Sequence, residues 1–365
     1  MTLGETAGKT FGKNGRRCNG LQRAGSNDPR TDLLMKGPKV VAIGGGTGLS
    51  TMLRGLKTFT SNITAVVTVA DDGGGSGELR QELGMLPPGD IRNCILALAD
   101  TEPLMEQLLQ YRFKEGKLKG QSFGNLFLAA MDGISSSFEE AVKRMSDVLA
   151  VTGRVLPVTL DNVTLCAELE DGSIICGESQ IGRHRCFKKC RIKRVYLEPA
   201  DADPLHDVIE AIYQADVIVF GPGSLYTSIL PNLLVRGICP AIRKSSALRI
   251  FACNVMTQPS ETEQYSVYDH IRALEEHSCK GIIDLCIANN SVIPDGIREK
   301  YRNDGADQVV IDRTELESAG IRLIEGDFAS LRNDLVRHDP HKLAEAVIRA
   351  ARDNVAAGKR SSDTC

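Results

Sequence analysis

The sequence predicts an α/β fold in which a mostly parallel sheet is covered by helices on both faces. Three observations carry that expectation. Short, wholly apolar runs, such as the one holding Val40, Val41 and Ile43 and the one over 217–220, alternate with stretches whose apolar spacing is near 3.6. Strands that are apolar on both sides are buried on both sides, the habit of parallel strands lying under helices. Two of these runs pass directly into glycine-rich turns, at 44–48 and 221–224, and then into helical patterns.

Residues 1–37 come first and are expected to be a disordered basic tail. They carry seven basic residues against three acidic ones, a net charge of +4, and few apolar residues to bury. The segment from Gly4 to Thr10 imitates a P-loop, but only three residues separate its glycines and no strand precedes it. Val40, Val41 and Ile43 then read as the first strand, with Leu49, Leu53 and Leu56 on the buried face of the helix after the glycine turn. A second strand covers 63–69 and ends at Asp71 and Asp72. Helices are expected over 91–100, 103–114, 124–133 and 137–149. Residues 154–197 read as a β meander, with Asp171 and Gly172 turning between the runs 165–169 and 174–175. Alternation then resumes: helix 207–214, strand 217–220, strand 250–254, helix 271–276, strand 282–288, and a last helix over 342–351. No repeat or linker interrupts residues 38–355, so one large domain is expected there, with 356–365 as a flexible end.

Lys and Arg number 44 against 47 Asp and Glu, a formal charge of −3. A dedicated nucleic-acid binder would need a strong basic excess. Nothing approaches the roughly 18 consecutive apolar residues of a membrane span, and the N-terminus shows no apolar leader core, so neither stable membrane insertion nor secretion is expected. With no Trp, seven Tyr and ten Phe, a site built on aromatic stacking is not expected. The eleven cysteines read as reduced thiols of a cytoplasmic protein; Cys94, Cys239, Cys253 and Cys286 sit in apolar runs, where Cys packs as a small hydrophobe. His184, Cys186 and Cys190 lack the fourth ligand and tight cysteine pair of a zinc site, and read as a solvated loop.

In such a sheet, ligands bind beyond the C-terminal strand ends, where glycine turns open helices. Exposed backbone N–H groups and the helix dipole favour an anion there, and glycine lets a phosphate come close. The first turn offers Gly44, Gly45, Gly46, Thr47 and Gly48; the second offers Gly221, Gly223 and Ser224. Either alone could be a tight strand-to-helix connection, but two cradles suit a diphosphate. The first turn lacks the third glycine of the dinucleotide fingerprint, with Leu49 in that place, which weakens a nicotinamide reading. Asp71 and Asp72, followed by a flexible run to Gly77, could hold a hydrated magnesium ion, bond ligand hydroxyls, or form a plain polar loop. Asp90 reads as a helix cap with Arg92 and Asn93 in the turn behind it, and Ser122 and Asn125 mark another helix start. From each, donors could reach an anion. No histidine stands in a nucleophile signature; His338 could serve in acid–base chemistry but reads first as a surface or capping residue.

The segments KVVAIGGGTG from Lys39, VADDGGGSG from Val69, PPGDIRN from Pro87, SFGN from Ser122, GPGSLYTS from Gly221 and NVMTQ from Asn254 occur in this order. Together they resemble the CofD-like superfamily, and most closely its YvcK/GlmR branch, the gluconeogenesis factors. The resemblance runs over residues 38–351. It implies a Rossmann-like three-layer sandwich, and a cytoplasmic, non-catalytic protein that binds a UDP-sugar, chiefly UDP-N-acetylglucosamine. Such a protein links carbon supply to wall-precursor synthesis and cell shape, with glucosamine-6-phosphate synthase as the suggested partner. The resemblance also implicates Tyr301 and Arg337 in holding the UDP-sugar. Physically, Tyr301 offers a flat apolar face plus one hydroxyl, and Arg337 a planar fork for a diphosphate. CofD itself transfers a phospholactyl group from a guanylyl donor to a deazaflavin with magnesium, so a transferase is the alternative reading and a nicotinamide oxidoreductase the second. A homo-oligomer stays open. Three departures bear on ligand contacts: Gly75 and Gln121 stand where the family usually has Ser and His, and Ser260 where it commonly has Gly.

Overall fold

The computed structural model describes residues 37–183 and 190–362. Its strands, in chain order, are β1 (Val40–Gly44), β2 (Ile63–Val67), β3 (Arg154–Pro157), β4 (Thr164–Leu169), β5 (Ile174–Cys176), β6 (Ile192–Glu198), β7 (Val217–Phe220), β8 (Leu248–Ala252), β9 (Leu285–Asn289), β10 (Arg322–Gly326), β11 (Ala329–Arg332) and β12 (Leu335–His338). Seven of them form one sheet in the order β10-β9-β8-β7-β1-β2-β3, with every neighbouring pair parallel. The α/β expectation is met. β1, β2 and β7 are buried along their whole length, which is why their runs are apolar throughout rather than alternating.

From β1 the chain builds outward through β2 to β3, and the second half builds the other way from β7 to β10. The order therefore reverses between β1 and β7, which lie side by side from Val40 opposite Val217 to Ile43 opposite Phe220. Both glycine turns leave the sheet at that reversal, where a crevice opens outside the carboxyl ends of the strands.

The helix Gly46–Leu56 buries Leu49, Met52, Leu53 and Leu56 against the sheet. The helix Pro340–Ser362 crosses it at Gly55, where a Cβ would overlap the Pro340 carbonyl. That final helix continues past residue 355, where a flexible end was expected, because Leu343, Val347 and Ile348 anchor it in the core.

The meander is smaller than the sequence suggested. Residues 154–157 join the main sheet as edge strand β3, since Val155 and Leu156 are buried beside β2. The antiparallel side sheet is β5-β4-β6, with Asp171 and Gly172 at the expected turn. Its register places Cys166 opposite Cys176, and the two form a disulfide with Cα atoms 4.1 Å apart. The reading of all thiols as reduced is thereby corrected; the pairing is set by hairpin register, which spacing alone does not reveal. Cys94, Cys253 and Cys286 are free and buried as expected.

Residues 73–77 are not a loose run but open the helix Gly74–Leu83, in which Gly75, Ser76, Gly77 and Leu79 are buried. Packing there overrides the low helix propensity of glycine. The helix expected over 103–114 stops at Gln110, because the chain turns back and Phe123 N–H donates to the Tyr111 carbonyl at 2.8 Å. Residues 1–36 lie outside the described residues, as do His184 and Cys186. Cys190 is half-buried and its Sγ accepts a bond from Asp171 N–H at 3.3 Å. Among the described residues no single helix is long and apolar enough to cross a membrane.

Candidate functional site

Gly45 is the extended N-cap of the Gly46–Leu56 helix and has no side chain to cap it; of the N–H groups at that start, Gly46's is taken by the Asp90 carboxylate. The first helical turn itself holds no acidic residue, so its remaining N–H groups and positive dipole end face the cavity side for an anion. Gly46 sits at φ +65°, a conformation glycine adopts freely, and a Cβ there would meet only Ser228 Oγ at 3.6 Å. At Gly48 a Cβ would overlap the Pro222 carbonyl, so a side chain would force the two glycine turns apart.

The second turn is braced from β8. Asn254 Nδ2 donates to the Gly223 carbonyl at 2.8 Å, and its Oδ1 accepts from Gly223 N–H at 3.2 Å. Gln258 Nε2 donates to Ser224 Oγ at 2.8 Å. The Asn254 to Gln258 segment is thus a buttress for the second cradle. Beyond Ser224 the chain takes one π-helical turn, Leu225–Ile229, before the helix Leu230–Leu234.

These parts surround a cavity of about 450 Å³. Gly45, Gly46, Thr47, Gly48, Gly223 and Ser224 line one side, and Tyr301, Val336 and Arg337 another. Tyr301 lies in the last turn of the helix Asp295–Asn303, and its hydroxyl accepts Val336 N–H at 2.9 Å, tying that helix to β12. Tyr301 also packs on a small apolar cluster of Val255, Met256, Ile293 and Val336, separate from the main core. The Arg337 side chain is exposed at the rim and shares a smaller adjoining cavity with Thr47 and Asn93.

Other expected positions stand behind this wall. Gly44 ends β1, its carbonyl taken by Thr68 N–H and by Asn232 Nδ2, both at 3.1 Å. Gly221 shapes its turn at φ +77°, with no room for a Cβ beside Ile229. Neither glycine lines the cavity; both direct the backbone. Asp71 Oδ1 accepts Gly73 N–H at 2.8 Å, and Asp72 Oδ1 accepts Ser179 N–H at 2.8 Å. Arg92 is buried, donating to Ser122 Oγ at 3.3 Å and Asn93 Oδ1 at 2.8 Å. Ser122 caps its helix as expected by accepting Asn125 N–H at 3.2 Å, while the buried Asn125 Oδ1 has no partner.

Two expectations change. Asp90 is not a cap, since Pro88 holds that place; its carboxylate accepts Gly46 N–H beneath the first cradle. Burial first, and Asp71 second, push its pKa up to about 6, against the Gly46 bond and Arg92. His338 is neither surface nor cap. Burial lowers its pKa to about 4, so it is neutral near pH 7, and its Nε2 donates to the Cys253 carbonyl at 3.0 Å.

Sequence reading missed Glu178, which lines the cavity from the short helix Glu178–Ile181 after the β4–β5 hairpin. Nothing in its neighbourhood marks it; only folding the hairpin against Asp72 brings it there. With Asp71, Asp72 and Asp90 it forms an acidic side to the site.

Fold and site together define an α/β protein with paired glycine cradles at the switch point of a parallel sheet. The family profile described as 2-phospho-L-lactate transferase CofD matches residues 40–329, and the chain belongs to that CofD-like family. Within it, the chain is 56% identical over 321 residues to a putative gluconeogenesis factor of Clostridium acetobutylicum, covering 88% of this chain and 71% of that one. It is 50% identical over 312 residues to the gluconeogenesis factor of Bacillus subtilis, covering 85% and 97%. A crystal structure of a Bacillus halodurans protein matches with a TM-score of 0.81 at 49% identity, covering 84% of this chain and 98% of that one. The branch indicated by the motifs is the one to which these relatives belong.

Proposed function

We propose that the protein is a cytoplasmic regulator that binds a UDP-sugar, chiefly UDP-N-acetylglucosamine, and couples carbon supply to wall-precursor synthesis and cell shape. One observation carries this reading: two glycine cradles, Tyr301 and Arg337, drawn from distant parts of the chain, surround a single cavity. The diphosphate rests on the N–H groups of the Gly46–Leu56 helix start, gripped from the rim by the Arg337 fork. The uracil lies on Tyr301 and the apolar cluster beneath it. The sugar extends toward Asp71, Asp72 and Asn125. Ligand then biases the arrangement of the Tyr301 helix and β12, and a partner such as glucosamine-6-phosphate synthase reads that state.

Calorimetric titration with UDP-N-acetylglucosamine, NAD and GTP, each with and without magnesium, tests the reading. Saturable binding of the UDP-sugar alone, without turnover, is expected. A second reading rests on the acidic side of the site: a CofD-like transferase would use Asp71 and Asp72 with magnesium to offset charge developing on a transferred phosphate. Consumption of a deazaflavin acceptor with GTP-derived donor would establish it instead.

A further inference from the structure

Glu178 lines the same cavity as the first cradle. Its Oε2 is buried and has no hydrogen-bond partner. Leaving such an oxygen unpaired is costly, so a group that belongs in the cavity should satisfy it. The backbone holds it firmly: Ser179 N–H is bonded to Asp72, and Gly177, at φ +103°, has no room for a Cβ beside the Asp72 carboxylate. The β4–β5 disulfide closes the hairpin immediately before it.

The surroundings exclude a phosphate as the missing partner. Burial raises the Glu178 pKa well above the ordinary range, and the carboxylates of Asp71, Asp90, Glu261 and Asp72 raise it further. What the unpaired oxygen lacks is a donor, and the same carboxyl can bond more than one polar group. A negative charge would be repelled by the acids around it. A neutral group rich in hydroxyls supplies that donor without bringing a further negative charge.

We infer that Glu178 reads the sugar of the bound nucleotide, bonding its hydroxyl or amide groups while the diphosphate stays on the glycine side. The inference rests on the UDP-sugar reading above and makes Glu178 a specificity-determining residue: it distinguishes UDP-sugar from UDP. Neither the glycine turns nor Arg337 can do so, because both ligands present them with the same diphosphate.

The test titrates UDP and UDP-N-acetylglucosamine into the wild-type protein, Glu178→Ala and the near-isosteric Glu178→Gln, in EDTA and again with magnesium. Glu178→Ala should weaken UDP-N-acetylglucosamine binding about tenfold, the loss of one well-made hydrogen bond in a dry site, and leave UDP within about twofold. Glu178→Gln should retain part of the preference, and guards against a variant that fails to fold. Equal losses for both ligands would overturn the inference, as would no loss for either. A loss confined to magnesium would also overturn it, by making Glu178 a cation ligand. If the wild-type protein binds neither nucleotide, the UDP-sugar reading itself has failed, a result distinct from failure of the Glu178 role.

Discussion

Asn254 holds Gly223 by both of its backbone groups, Nδ2 on the carbonyl and Oδ1 on the N–H, so one side chain fixes the peptide planes of the second cradle. Asn254→Asp keeps the shape but replaces the donor with a second acceptor facing the Gly223 carbonyl. A stability loss of about 1–3 kcal/mol is expected, together with weaker ligand binding. Thermal melts and calorimetry on the same preparation check this. Wild-type affinity in the variant would show that the second turn does not touch the ligand.

Gly46 combines a left-handed backbone with an opening toward the cavity. Gly46→Val should cost about 1–2 kcal/mol in backbone strain and abolish nucleotide binding, because its methyls occupy the phosphate seat. The expected signature is a cooperative melt at somewhat lower temperature with no calorimetric heat of binding. Retained binding would remove the first turn from the site.

Arg337 is exposed at the rim, without an acidic partner in an ion pair among the described residues. Arg337→Lys retains charge but loses the bidentate fork, and should weaken UDP-N-acetylglucosamine while leaving the melting temperature unchanged. Tyr301→Ala should cost roughly 1–3 kcal/mol of binding, on the scale of base–aromatic stacking. It should also lower stability, because Val336 N–H loses its acceptor. Wild-type affinity in both variants would separate this segment from the ligand.

Asp90 gives the fold a pH dependence with a definite sign. Its folded pKa is about 6, above the roughly 3.9 of an unfolded aspartate. The folded state therefore binds more protons between those values, so its contribution to stability is full below about pH 4 and lost as pH rises through about 6. Asp90→Asn should flatten the melting temperature across that interval and raise stability near pH 7 by about 1–3 kcal/mol. A residual slope should persist from Asp71 and Glu178, whose pKa values are also raised. An unchanged profile in the variant would refute the assignment.

The fold was legible where local pattern and tertiary environment agree. The uniformly apolar β1 and β7, and the glycine turns that follow them, announce a parallel sheet and its binding edge before any coordinates. The pattern misled where tertiary contacts decide: Gly75 and Gly77 lie in a helix because they must fit close to Gln121 and Asp72. In the site, glycines could be read directly because backbone geometry restricts them. Tyr301 and Arg337 entered through resemblance alone. Glu178 could not be read at all, since its position depends on hairpin register and on a bond between Ser179 and Asp72, residues 107 apart in sequence.

The cavity wall begins at Gly45 and is completed by His338, and the helix that starts at Pro340 then locks against Gly55. A chain still attached to the ribosome exposes its first cradle for most of its synthesis without Arg337 or Tyr301 to face it. The early strands must wait for neighbours that emerge much later. The cavity is thus a late product of synthesis, whole only once residues near 338 have joined strands laid down near residue 40.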